Sequence, residues 1–366
     1  MKRLIAMVVS ISLLMAVVSG VPAAASTVIE VWPGQSIQAA VDQADPGDAV
    51  LVHAGIYDQE VRFNTGDNGI TLRGEEGTVL QKTDEPSMDF TAIAISAGVS
   101  GVTIEGFNIR NYRFGVLLEP GSTGNIIRRN RVSGCWDGIN LVNAPGNHIL
   151  QNTVTGSIWA GIWLGPNCDE WGNPFGPGSD SNHIINNSVS GCDGGIIIDH
   201  SNGNQVMENK VKDSVGPGIF VGHDSESNWI TGNDIFDGND GINLGNARYN
   251  NVLDNKILGS AGAGIFLGPD GTEVSPDNNV IGGNKVSSCR AGIVLFIACN
   301  NDVLQNRVSG CEKLGIAATG PDSGPLSAGN LIQDNMAMGT RGFDLFDKSL
   351  GLLNDWLDNK YRTSNF

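Results

Sequence analysis

Residues 228–268 read N-W-I-T-G-N-D-I-F-D-G-N-D-G-I-N-L-G-N-A-R-Y-N-N-V-L-D-N-K-I-L-G-S-A-G-A-G-I-F-L-G. Two units lie in this stretch. Asn228 and Asn233 open the first, and Asn250 and Asn255 open the second 22 residues later. Each unit then reaches a Gly followed by alternating side chains, Gly241-Ile-Asn-Leu244 and Gly264-Ile-Phe-Leu267. Apolar residues at every second place, bounded by Gly, Asn, Asp and Ser, specify short strands joined by tight turns.

The same Asn pair, five residues apart, recurs outward in both directions: Asn125/Asn130, Asn147/Asn152, Asn182/Asn187 and Asn204/Asn209 before it, Asn279/Asn284, Asn301/Asn306 and Asn330/Asn335 after it. The basic unit is about 22 residues, lengthened by insertions in three copies, and a degenerate copy spans Gly101 to Leu118. Leucine-rich repeats have similar periods, but the inward positions here are mainly Ile and Val. A parallel β-helix fits better, with each coil stacked about 4.8 Å from the next. In that arrangement the Asn amides serve backbone groups left unpaired at the turns and bond to the next Asn in the column. The segment G-A-G-I-F-L-G at 262–268 imitates a nucleotide loop, yet its glycines fall on the repeat and no helix is expected after it.

Composition agrees with a solenoid. The 366 residues include 50 Gly and carry a net charge of −17, which disfavours both an ordinary helical enzyme and a nucleic-acid binder. Forty per cent hydrophobic residues supply enough apolar surface to disfavour disorder. Lys2 and Arg3, an apolar run from Leu4 to Val18 and the triplet Ala23-Ala24-Ala25 read as a signal peptide over 1–25, so the protein is expected to be secreted or periplasmic, with no membrane association after cleavage. Cys135, Cys192, Cys289 and Cys311 each fall ten residues after the first Asn of a unit. They read as buried thiols filling a slot for small side chains; Cys289 and Cys311 alone are in adjacent coils, where a disulfide is the alternative.

Residues 33–63, P-G-Q-S-I-Q-A-A-V-D-Q-A-D-P-G-D-A-V-L-V-H-A-G-I-Y-D-Q-E-V-R-F, resemble the opening of right-handed parallel β-helix proteins of the pectin-lyase-like group, and the later units resemble NosD-like, or CASH-type, repeats. The resemblance implies an all-β, single-stranded, right-handed parallel β-helix of about ten to twelve coils over 26–366. Its N-terminal cap and first coil would occupy 33–63, with Ser36 capping a short helix, its regular coils 101–342, and a C-terminal cap without Asn pairs 343–366. Such proteins include lyases, hydrolases, epimerases and NosD, which is associated with periplasmic copper delivery. The Y-G-F-D-P-H signature of mannuronan epimerases is absent, as is a clear set of polygalacturonase motifs, so no catalytic residue carries over.

Aligning the repeat glycines gives the candidate site. Two places after Gly stand Leu117, Asn140, Trp163, Ile197, Phe220, Asn243, Phe266 and Val294, an outward column suited to stacking sugar rings or to packing under inserted loops. Five places after Gly stand Asn143, Pro166, His200, His223 and Asn246, so His200 and His223 are expected one coil apart, flanked by Asp199 and Asp224. Two stacked imidazoles beside carboxylates suit acid–base catalysis or a divalent metal, and merely solvated turn residues are the plain alternative. Arg110, Arg113, Arg128, Arg129 and Arg131 form a basic cluster; Arg110, Arg128 and Arg131 in particular suit the carboxylates of a uronic-acid chain, or the cluster forms salt bridges with Glu105, Glu119 and Asp137. The expected function is binding, with or without cleavage or modification, of an acidic polysaccharide by a monomer. A non-catalytic carbohydrate-binding or structural solenoid and a NosD-like copper accessory protein are the alternatives. Calcium is left open as a cofactor, and copper is disfavoured by the lack of a Met/His-rich tract.

Overall fold

The computed structural model describes residues 26–82, 89–168, 174–270 and 275–366; the signal peptide expected over 1–25 lies outside the described residues. In the first unit quoted above, Trp229–Thr231, Asp234–Gly238 and Ile242–Gly245 are three strands in three different sheets. Each pairs in parallel with its counterparts in the preceding and following coils, so Phe220, Asn243 and Phe266 stand in one register. Repetition builds a first sheet of 14 strands, a second of 12 and a third of 12, which together form a right-handed parallel β-helix.

Alternate apolar residues of each strand point inward. Ile230, Ile235 and Ile242 are fully buried, and the same positions fill one continuous core in the other coils. At the corner before the third sheet the chain comes so close to the next coil that only Gly fits: a Cβ on Gly195 would lie 2.2 Å from the Gly218 carbonyl oxygen. The N-terminal end is covered by the helix Ile37–Val41, whose first turn is capped by Ser36 accepting from Ala39 N–H at 3.1 Å and which buries Ile37, Ala40 and Val41.

The Asn pairs form two continuous ladders. Asn228 is representative: its backbone N–H and its Nδ2 both donate to Asn250 Oδ1, at 2.9 and 3.0 Å, and Nδ2 also donates to the Ser201 carbonyl at 2.9 Å. All of these groups are buried, where an unmade hydrogen bond costs about 1–3 kcal/mol. One expectation needs correction. The repeat does not stop at Phe343, because Phe343–Asp347 and Asp355–Leu357 extend the third and first sheets and a tenth pair, Asn354 and Asn359, continues both ladders. Apolar end-capping side chains at 350–357 obscured that pair in the sequence.

Cys135, Cys192, Cys289 and Cys311 are buried free thiols, so the alternative of a Cys289–Cys311 disulfide is not realised. Burial raises all four, Cys135 and Cys311 to about 12, which keeps them protonated.

Candidate functional site

The third sheet carries the site because its strands are long enough to present two outward positions per coil. Trp163, Phe220 and Phe266 occupy the first position and are half-buried, stacked in the register expected from the sequence, with Ile197 and Asn243 between them. Two residues further on, the neighbouring coils carry Gly165, Gly222 and Gly268, and each aromatic ring leans over its own glycine. A Cβ on Gly222 would be 2.2 Å from the Phe220 ring, and one on Gly165 would be 2.3 Å from Trp163. The coil between those of Trp163 and Phe220 departs from this pairing. There the smaller Ile197 leaves the second position open, and Asp199 stands in register between Gly165 and Gly222, with Gly245 and Gly268 in the next two coils and Val142 and Phe296 at the same position beyond this run.

Asp199 faces the turn that follows the strand. His200 and His223 occupy that turn in adjacent coils, both with left-handed backbone, φ 45° and 39°, like Asn143 and Asn246 at the same place in the repeat. Their rings stack at 5.3 Å with 14° between planes. Asp199 Oδ1 lies 2.6 Å from His223 Nδ1 and 3.2 Å from His200 Nδ1, although the second contact is not aligned as a hydrogen bond and leaves His200 Nδ1 without a partner. On its other side, His223 Nε2 lies 3.6 Å from Asp270 Oδ2. The Asp199 hydrogen bond raises the His223 pKa against the opposing effect of burial, and the charges of Asp199, Asp270 and Asp224 add to it.

Asp199, His223 and Asp270 border a groove of about 590 Å³ that also takes in Trp159, Trp163, Phe220 and Phe266, with His200 beside it in the turn. Among the described residues its carboxylates are Asp193, Asp199, Asp240 and Asp270, and His223 is the only basic side chain lining it. The groove therefore offers aromatic faces, a carboxylate-held imidazole able to transfer a proton, and an excess of negative charge.

Several residues singled out in the sequence lie elsewhere. Asn140 is only 5% exposed and donates to Asp137 Oδ2 at 2.7 Å, packed in register between Leu117 and Trp163. Asp137 in turn accepts from Ala160 N–H, and Asp240, which with Asn243 stays on the groove, accepts from Ala263 N–H and Asn243, so both aspartates hold one coil to the next. Asp224 points away with its side chain 70% exposed, 3.7 Å from Arg248. Asp270 takes its place beside His223, carried back over the intervening coil by the insertion after Gly268. There Asn246 Oδ1 accepts from Asp270 N–H and Asn246 Nδ2 donates to its carbonyl.

The arginine cluster does not join the groove. Arg128 is on the first sheet, Arg110 and Arg131 on the second, and Arg129 in the turn between them. Arg128 and Arg73 both bind Glu105, each Nε at 2.6 Å from a different carboxylate oxygen, and Glu119 is engaged by Arg62. A second His pair, His148 and His183, meets edge to face at 4.8 Å on the first sheet.

The family model for periplasmic copper-binding protein (NosD) matches residues 52–237, just over half of the sequence. The chain belongs to the NosD family. A model for a right handed beta helix region matches residues 177–344. No curated protein sequence matches. Among solved structures the chain is similar to the periplasmic alginate epimerase AlgG, at 16% identity and TM-score 0.56 over 91% of this chain and 84% of that one. It is also similar to the A-module of Azotobacter vinelandii mannuronan C-5 epimerase AlgE4, at 15% identity and TM-score 0.54 over 86% and 87%. A polysaccharide lyase of family PL6 from Pseudopedobacter saltans gives 12% identity and TM-score 0.56 over 92% of each chain. At these identities the likeness is one of fold. Among the described residues no helix is long and apolar enough to cross a membrane.

Proposed function

We propose that the protein is exported and binds a polysaccharide along the groove of the third sheet, where His223 and Asp199 are positioned to act on the bound chain. The observation that carries this reading is the stack of outward rings Trp163, Phe220 and Phe266 beside a carboxylate-held imidazole. Flat apolar faces two coils apart suit the rings of an extended sugar chain. The epimerases and the lyase that share the fold are named for work on such chains, which supports the same class here. Four carboxylates in the groove repel a polyanion, so neutral sugars stack there directly and an acidic chain requires a cation between. The test is to incubate the purified protein with neutral and acidic polysaccharides, following binding, unsaturated products and new reducing ends. Binding that weakens in Phe220→Ala supports the reading, and absence of binding to every chain removes it.

A second reading, handling of a metal ion, is favoured by the convergence of Asp199, His200 and His223 and by membership of a family described by copper binding. Its test is metal binding by the purified protein.

A further inference from the structure

We propose that Asp199, His200 and His223 form a defined site for a borderline divalent transition ion, of the zinc or copper(II) class, built into the wall of the groove. The proposal deepens the metal reading and rests on it, but it does not depend on the groove binding a glycan.

One ligand atom from each of these three residues lies within 4.8 Å of the other two, and no other group of three such side chains meets this condition among the described residues. Zinc or copper bonds to nitrogen and oxygen are about 2.0–2.2 Å long, so small rotations of half-exposed side chains close the set around an ion. Both imidazoles direct Nδ1 at Asp199 Oδ1, and His200 Nδ1 has no hydrogen bond to give up. Two imidazoles with one carboxylate favour zinc or copper(II); calcium and magnesium prefer oxygen alone. Cys135, Cys192, Cys289 and Cys311 are buried in the core, so these thiols do not compete with the imidazole–carboxylate set for an ion. Asp270, 3.6 Å from His223 Nε2, stands where an outer carboxylate orients a metal-bound imidazole through its second nitrogen.

The repeat itself argues that the set is an addition to the fold. The coils on either side keep Gly165 and Gly222 at the position of Asp199, and the turn position of the two histidines is taken by Pro166 in the coil before them and by Asn246 in the coil after, Asn246 with the same left-handed backbone. The coil therefore folds without these three side chains, and their joint presence is a local departure from the architecture.

That property also supplies variants that retain the fold. Equilibrium dialysis and calorimetry with zinc and copper(II), and with calcium for contrast, are performed on the purified protein, on Asp199→Gly, and on the double variant His200→Asn, His223→Asn. Copper(II) spin resonance reads the coordinating nitrogens. The expected result is one ion per chain with nitrogen coupling from two imidazoles, affinity lowered at least 100-fold in both variants, and no competition by calcium. Asp270→Asn should weaken binding by roughly 10-fold without abolishing it. Binding unchanged in both variants overturns the site and leaves metal handling standing; absence of binding to the unaltered protein overturns both.

Discussion

The protein has two charged surfaces that the sequence presents as similar, and the structure separates them by how their charges are balanced. Around Glu105, two arginines from neighbouring coils close on one buried carboxylate, each oxygen taken by one guanidinium. Around His223, carboxylates outnumber the cations, and His200 Nδ1 has no hydrogen-bond partner. In the first surface the folded chain satisfies its own charges, as a structural brace does. The second leaves surplus carboxylates and an imidazole nitrogen without a hydrogen bond, which is the imbalance that the proposed ion would offset.

The largest effect should come from erasing the contrast. Replacing Ile197 with Phe and Asp199 with Gly turns the exceptional coil into a plain aromatic–glycine coil like those of Phe220 and Phe266. Calorimetry should show metal affinity falling at least 100-fold, about 2.7 kcal/mol, with little change in melting temperature. Glu105→Gln tests the other surface. Burial raises the Glu105 pKa, but the hydrogen bonds from Arg128 and Arg73 outweigh it, so the folded value lies below the ordinary 4.5. The stabilisation is therefore present above the unfolded pKa and lost as pH falls through the folded one. Denaturant unfolding near pH 7 should show a loss of about 1–2 kcal/mol in Glu105→Gln, shrinking as pH falls through the lowered folded value, with metal affinity unchanged. Phe220→Ala should weaken glycan binding by about 10-fold in an equilibrium titration while leaving the ion in place. Arg128→Gln should give the smallest change, under about 1 kcal/mol by denaturant unfolding, because its guanidinium is partly solvated.

The fold and the aromatic column were legible because both are periodic: Asn at fixed offsets gives the ladders, and alternate residues after Gly give the outward face. His200 and His223 were found by the same counting. Asp270 was not, because it reaches His223 from two coils away on an insertion that follows no period. Asp199 stands out in the sequence as a neighbour of His200, while a second signal, its place between Gly165 and Gly222 four positions after the repeat Gly, gains its meaning from the rings that lean over those glycines. The arginines show the same limit, although the salt-bridge alternative correctly joined Arg128 to Glu105. A window of 22 residues travels once around the helix, so residues close in sequence lie on different sheets, while those that meet, such as Arg73, Glu105 and Arg128, are separated by 23 or 32 residues.

The asparagine ladders also bear on how the chain reaches this structure. Their side-chain to side-chain bonds link residues 22 to 35 apart, and this separation does not grow from one end of the solenoid to the other. Adding a coil therefore costs the closure entropy of a short loop at every step, whatever the length already folded. A chain of 366 residues can then fold with the kinetics of a much smaller one, zipping outward from whichever coil forms first.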